Sequence, residues 1–162
     1  MAPPVIFAVV TVLAVLGVGG AMTKVGDWYR ALRKPSWNPP GWAFAPAWTI
    51  ILGLAGWAGV IAWNNAHTEA DRWKIGVLFG VNIVFHLLWS PLFFTWKRPD
   101  WALAEVPLLW LSILALIVGL APLSTTSALL LTPYLAWVAF AAFLNLTIVR
   151  MNAPFRALPA AG

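Results

Sequence analysis

Cysteine is absent from this chain and charge is scarce, with Asp, Glu, Lys and Arg together making 9% of the 162 residues. The first absence excludes disulfides, thiolate metal sites and cysteine nucleophiles at once, and leaves the redox compartment unwritten. The second excludes an ordinary water-soluble domain, in which about 25% of residues are charged. Acids are scarcer still, five against ten bases, and the net charge of +5 raises the question of a nucleic-acid partner. The bases stand at the ends of apolar runs rather than interleaved on one face, so they read as orientation signals in a membrane and not as a nucleic-acid surface. Catalytic signatures are missing too. There is no G-x-x-x-x-G-K-[ST] and no H-E-x-x-H, and Gly17-Val18-Gly19-Gly20 lacks the strand and the later glycine of a dinucleotide fingerprint. His86 and Ser90, four apart, have no third group to orient the imidazole for nucleophilic catalysis. Alternating access would call for an inverted repeat or a pair of broken helices, and neither is visible.

What the chain does have is apolar length. Apolar residues make up 62% and gather into five runs, approximately Pro4 to Thr23, Trp42 to Trp63, Ile75 to Trp96, Trp101 to Ala121 and Ser127 to Val149. Each supplies the roughly 20 residues that a helix needs to cross a bilayer core. The expected fold class is an all-α membrane protein, a five-transmembrane-helix bundle forming one domain over 1–162 with a long first loop at 24–41. Nothing before Lys24 is charged apart from the amino terminus, so the first run reads as a membrane helix rather than a secretory signal. Five spans put the termini on opposite sides. One side then receives Lys24, Arg30, Arg33 and Lys34 of the first loop, Lys97 and Arg98 of the third, and Arg150 and Arg156 of the tail. The other receives Arg72 and Lys74. By the positive-inside rule the first loop and the carboxyl end face the cytoplasm, and this is called the basic side below.

Four prolines, Pro46, Pro91, Pro107 and Pro133, fall inside the expected helices. Each removes a backbone donor, which a membrane helix tolerates where neighbours or a cavity satisfy the freed carbonyl. Ordinary kinking accounts for them, and kinks at matching depth would also open space between helices. Of the twelve tryptophans, Trp42, Trp63, Trp73, Trp96 and Trp101 sit at span ends and fit an interfacial belt. Trp48, Trp89, Trp110 and Trp137 lie several residues inside and do not.

Spacing brings polar groups to the inner tryptophans. Asn82, His86, Trp89, Ser90 and Phe93 recur at intervals of three and four and share one helical face. Tyr134, Trp137, Ala141 and Asn145 make a second such face. An amide or imidazole left unpaired in hydrocarbon costs several kcal/mol, so both faces look inward. Two readings follow. The polar groups either line a pocket walled by indoles or serve as glue between helices with no ligand. His86 is likewise an interhelical donor or an axial ligand to haem iron. Glu105, about one turn inside the fourth run, snorkels toward the basic side or pairs with a cation there; the other reading is an intramembrane functional acid. Gly76-x-x-x-Gly80 permits close helix approach, within the bundle or across a dimer seam.

Three segments carry a resemblance. "WYRALRKPSWNPPGWAFAPAWT" (Trp28 to Thr49), "WSPLFF" (Trp89 to Phe94) and "PYLAWVAFAAFLN" (Pro133 to Asn145) are similar to the signature segments of the translocator protein family, TspO/MBR, in the same order and over nearly the whole chain. The resemblance implies a five-helix bundle, usually a homodimer, embedded in lipid, with a cavity opening toward the cytoplasm beneath the first loop. It implies binding of porphyrins and haem-related tetrapyrroles, and in many members of sterols and hydrophobic aromatic drugs; no cofactor or metal is required. The ligand contacts it implies are Tyr29, Trp37, Trp48, Trp89, Phe93, Trp137 and Ala141, which Asn82 and His86 join from the spacing above. Trp48 matches a tryptophan implicated in light-dependent porphyrin breakdown, which makes it the one candidate catalytic residue. The implied location is a bacterial cell membrane. This chain departs from the family pattern with His86 in place of an asparagine and Leu52 in place of a tyrosine. In "LNLTIVR" it lacks the central tyrosine of the animal sterol motif. Pro35, Pro39 and Pro40 limit the loop's freedom and so lower the entropy it loses on closing over a ligand. Lys34 and Arg33 are expected to attract porphyrin propionates.

Overall fold

The computed structural model describes residues 3–155; Arg156 lies outside the described residues. Its helices are α1 (Pro3–Met22), α2 (Asp27–Ala31), α3 (Gly41–Asn64), α4 (Glu69–Ser90), α5 (Pro99–Leu120), α6 (Thr125–Leu130) and α7 (Thr132–Asn152), with a π-helical turn at Pro91–Thr95. Five helical segments are long and apolar enough to cross a membrane, α4 with its π turn counting as one and α6 with α7 as another. The protein is an all-α membrane protein.

The boundaries shift from the apolar runs for identifiable reasons. α4 begins six residues before its run, because Thr68 and Asp71 form a capping box that pays no regard to hydropathy. Thr68 Oγ1 accepts from the Asp71 amide at 3.1 Å while Asp71 Oδ2 accepts from the Thr68 amide at 3.2 Å. The other end of that span loosens at Pro91, which lacks an amide hydrogen. The Trp96 amide reaches back five residues to the Pro91 carbonyl at 2.9 Å, widening the turn. Lys97 then takes a left-handed φ of 55° and lets Pro99 start α5. The last run is two helices. Pro133 cannot donate, so the Leu131 amide closes α6 onto the Ala128 carbonyl, and α7 restarts with the Leu135 amide on Leu131. Pro91 and Pro133 thus mark breaks, while Pro46 and Pro107 lie within continuous helices.

α5 is the central helix. Its buried Ala102, Glu105, Val106, Leu109, Ser112, Ile113 and Leu116 repeat at three and four, a stripe that faces α4 on one side and α7 on the other. α3 packs against α6 and α1, and α1 returns to α4, closing a ring. α1 is apolar all round and buries Val15 alone, leaving Phe7, Val10 and Leu13 exposed as a lipid-facing helix would. The buried core runs through Ala58, Ile113, Leu116, Leu131, Tyr134 and Val138. A second cluster around Phe93, Ala102, Leu144 and Ile148 sits at the basic end, where the first loop lies on it.

Candidate functional site

The two polar-aromatic faces converge. α4 and α7 bring His86 and Tyr134 together, with His86 Nδ1 3.0 Å from the Tyr134 hydroxyl. That hydroxyl also donates to Asn82 Oδ1 at 3.3 Å, and Asn82 Nδ2 donates to Ser112 Oγ on α5 at 2.9 Å. Ser112 in turn donates to the Leu109 carbonyl at 2.7 Å. Three helices are thereby tied through one file of hydrogen bonds, the glue that hydrocarbon demands of such groups. Asn145 does the same elsewhere. With its nitrogen toward the Pro99 carbonyl and its oxygen toward the Leu103 amide, it makes two bonds of 3.1 Å between α7 and the start of α5. Ser90 faces the end of α1, its Oγ 3.4 Å from Thr23 Oγ1.

α3 lays Trp48 across this file. Its ring meets His86 edge-on at 4.9 Å, Tyr134 at 6.1 Å and Trp137 at 6.2 Å. Trp137 continues to Phe44 at 6.1 Å and Phe140 at 5.6 Å, so an unbroken aromatic cluster runs from mid-bundle to the loop. Ala141 is half-buried one turn beyond Trp137 on α7. Trp89 stacks on Phe93 at 5.0 Å, and Phe93, 2% exposed, receives Trp28 and Tyr29 of the first loop on its edge. Trp89, Trp48 and Trp137 all turn inward. Trp110 is half-buried against the core and joins none of these ring pairs.

The loop is fastened at several points. Trp37, though 43% exposed, stacks on Phe143 of α7 with centroids 5.3 Å apart and meets Phe140 edge-on at 6.0 Å. Tyr29 leans on Phe94 at 5.4 Å, and burial raises its phenol above the ordinary value. Asn152, at the end of α7, accepts from the Arg33 amide and donates to the Arg33 carbonyl, both at 2.8 Å. No apolar or charge pattern points to Asn152; the signal is a contact between residues 119 apart in sequence.

Two expectations require correction. Lys34 is spent on its own loop: Nζ donates to the Tyr29 and Leu32 carbonyls at 2.6 and 3.2 Å and lies 4.4 Å from the Tyr29 ring centroid. It closes the end of α2, as a cation at a helix C-terminus does, and partial desolvation lowers its pKa. Glu105 neither snorkels nor pairs. It is 6% exposed, neither carboxylate oxygen has a partner, and the ion pairs among the described residues are Arg30–Asp27, Lys74–Asp71 and Arg98–Asp100. It lies on the buried stripe of α5, about one turn after Ala102.

The sequence that builds this architecture matches the model of the TspO/MBR family over residues 7–151. The chain belongs to the TspO/MBR family. It is 40% identical to the tryptophan-rich protein TspO of Chlorobaculum tepidum over 86% of this chain and 90% of that one. It is 37% identical to a tryptophan-rich sensory protein of Cereibacter sphaeroides over 82% of each. The translocator protein of Sus scrofa is 35% identical over 94% of both chains. The matched residues 7–151 reach into all five spans, so the aromatic cluster and the loop above it both lie inside the matched region.

Proposed function

We propose that this TspO/MBR protein is a membrane receptor or carrier for porphyrin-type tetrapyrroles and other hydrophobic aromatic ligands, held among Trp48, Trp89 and Trp137 beneath the first loop. The observation that carries the reading is a pair of indole N–H groups. Trp89 Nε1 and Trp137 Nε1 are sealed from solvent and have no acceptor. Each unpaired buried donor costs about 1–3 kcal/mol, and a ligand carbonyl or ring nitrogen entering the cluster removes that cost. Trp48 and Trp137, crossed edge to face, supply the indole surface on which a macrocycle stacks. The loop, pinned by Trp37 and Asn152, acts as the lid. The name of the Cereibacter sphaeroides relative, a tryptophan-rich sensory protein, agrees with a receptor. The excess of cations on the loop side orients the lid to the cytoplasmic face of a cell membrane.

The test is quenching of tryptophan fluorescence by protoporphyrin in wild type, Trp48→Phe and Trp137→Phe. Each substitution trims a stacking contact worth on the order of 1 kcal/mol and weakens binding roughly fivefold. Unchanged affinity in the double variant overturns the reading. Retained binding with loss of light-dependent porphyrin breakdown in Trp48→Phe moves the protein to the enzyme class.

A further inference from the structure

A buried acid on α5 has nothing to bind. Glu105 is 6% exposed and sits on the inner stripe between Ala102 and Leu109. Neither of its carboxyl oxygens has a hydrogen-bond partner among the described residues, and neither has Trp89 Nε1 or Trp137 Nε1. Bonds between helices set the level at which these atoms lie. Asn82 of α4 meets Ser112 of α5 at 2.9 Å, and the two helices run in opposite directions on either side of the turn after Thr95. About two turns from that crossing toward the first loop, the same faces carry Trp89 on α4 and Glu105 on α5. Packing agrees with this register. Trp89 lies against the cluster that holds Ala102 and also against the one that holds Val106 and Leu109, which stand on either side of Glu105 along α5.

α7 reaches the same level. Asn145 joins it to the Pro99 carbonyl and the Leu103 amide at 3.1 Å, and one turn farther in α7 carries Ala141, whose side chain ends at Cβ, followed by Trp137. Three helices thus bring two indole donors and an acid to one region of the bundle and pair none of them. In apolar surroundings a carboxylate without a cation is far costlier than the neutral acid. Glu105 therefore offers a carbonyl oxygen that accepts and a hydroxyl that donates, while an indole N–H only donates. The complement of this set is a neutral group with an N–H beside an oxygen that has two lone pairs.

We infer that Glu105 selects ligands that carry a secondary lactam. The lactam N–H donates to the Glu105 carbonyl oxygen and the Glu105 hydroxyl donates to the lactam oxygen, closing a ring of two hydrogen bonds. The second lone pair of the lactam oxygen accepts from Trp89 Nε1. Other chemistry leaves a buried group unpaired. A ketone, an ester or an N-alkylated lactam brings no proton for the acid, and an open-chain secondary amide, being trans, turns its N–H and C=O to opposite edges. An ammonium gives the indole no acceptor, and a carboxylate brings a charge with no cation to meet it. The inference rests on the reading that hydrophobic aromatic ligands enter this cluster, and adds the group that discriminates among them.

The full chain, with isotope-labelled indole nitrogens and held in lipid nanodiscs, is titrated with phenanthridinone, a flat aromatic secondary lactam, and separately with its N-methyl derivative. Trp89→Phe assigns the Trp89 indole signal. The expected result is a saturable shift of that signal with phenanthridinone and an affinity roughly tenfold or more above that of the N-methyl compound. Glu105→Leu abolishes the preference, whereas Glu105→Gln, whose amide also offers a donor beside an acceptor, keeps it; a merely structural acid would not show that rescue. Glu105→Met serves as a second apolar variant, and thermal unfolding shows which of the two is folded. Equal affinities for the two compounds in wild type, a preference that survives in a folded apolar variant, or its loss in Glu105→Gln overturns the inference. Protoporphyrin quenching on the same samples separates the two readings. Quenching that persists without any lactam preference ends this inference alone, and no response to any of the three ligands ends the tetrapyrrole reading with it.

Discussion

Replacing Asn152 by Ala releases the lid without disturbing the bundle beneath it. The carboxamide makes two 2.8 Å bonds to the Arg33 backbone, and its nitrogen makes a third to the Ile148 carbonyl within α7. The two loop bonds are what the substitution removes from the lid. A neutral hydrogen bond contributes about 0.5–1.5 kcal/mol net, and these lie in an exposed setting where water competes, so together they are worth about 1–2 kcal/mol. That energy corresponds to roughly a five- to thirtyfold rise in the population of the open loop. Amide hydrogen exchange reads it directly, because the Arg33 N–H is the donor in one of the lost bonds. Arg33 and its neighbours should exchange faster by that factor, while amides of α5 keep their protection. Trp37 against Phe143 still holds part of the loop, so the opening is local. Unchanged exchange at Arg33, or an equal loss of protection along α5, would show that Asn152 is not the latch.

Other substitutions probe the interior. Tyr134→Phe removes the donor to Asn82 and the acceptor for His86 together, leaving two buried groups unpaired, and should cost about 2–4 kcal/mol in chemical unfolding. A loss below about 0.5 kcal/mol would mean the file of bonds is not formed. Gly56→Ala places a methyl 2.8 Å from Val12 Cγ2, a stiff β-branched side chain, and should destabilise by about 1–3 kcal/mol by forcing α1 off α3. Gly17→Ala meets nothing within 4 Å and should stabilise α1 by up to about 1 kcal/mol; equal effects at the two glycines would refute the packing argument. Glu105→Gln replaces a buried acid that has no partner by a neutral isostere and should raise the melting temperature or leave it unchanged; a large drop would reveal a partner for the carboxylate.

The helix count, the membrane class and the inward turn of Trp48, Trp89 and Trp137 were legible in the sequence, because a bilayer enforces length and burial one span at a time. So was the shared face of Asn82 and His86, which follows from helical period alone. Proline positions were legible as irregularities but not as their kind: Pro46 and Pro107 leave their helices continuous, whereas Pro91 widens a turn and Pro133 divides a span. Local sequence states that a donor is missing; which neighbouring amide takes over its carbonyl depends on packing. The fates of Lys34 and Glu105 were out of reach for the same reason, since a charge finds its partners, or fails to, only after helices are placed. Tertiary structure alone decided that Asn152 clasps the first loop and that Ser112 anchors the bonds ending at His86. Each of these depends on atoms from distant parts of the chain meeting within hydrogen-bond or contact distance, and no periodicity along a single helix encodes that.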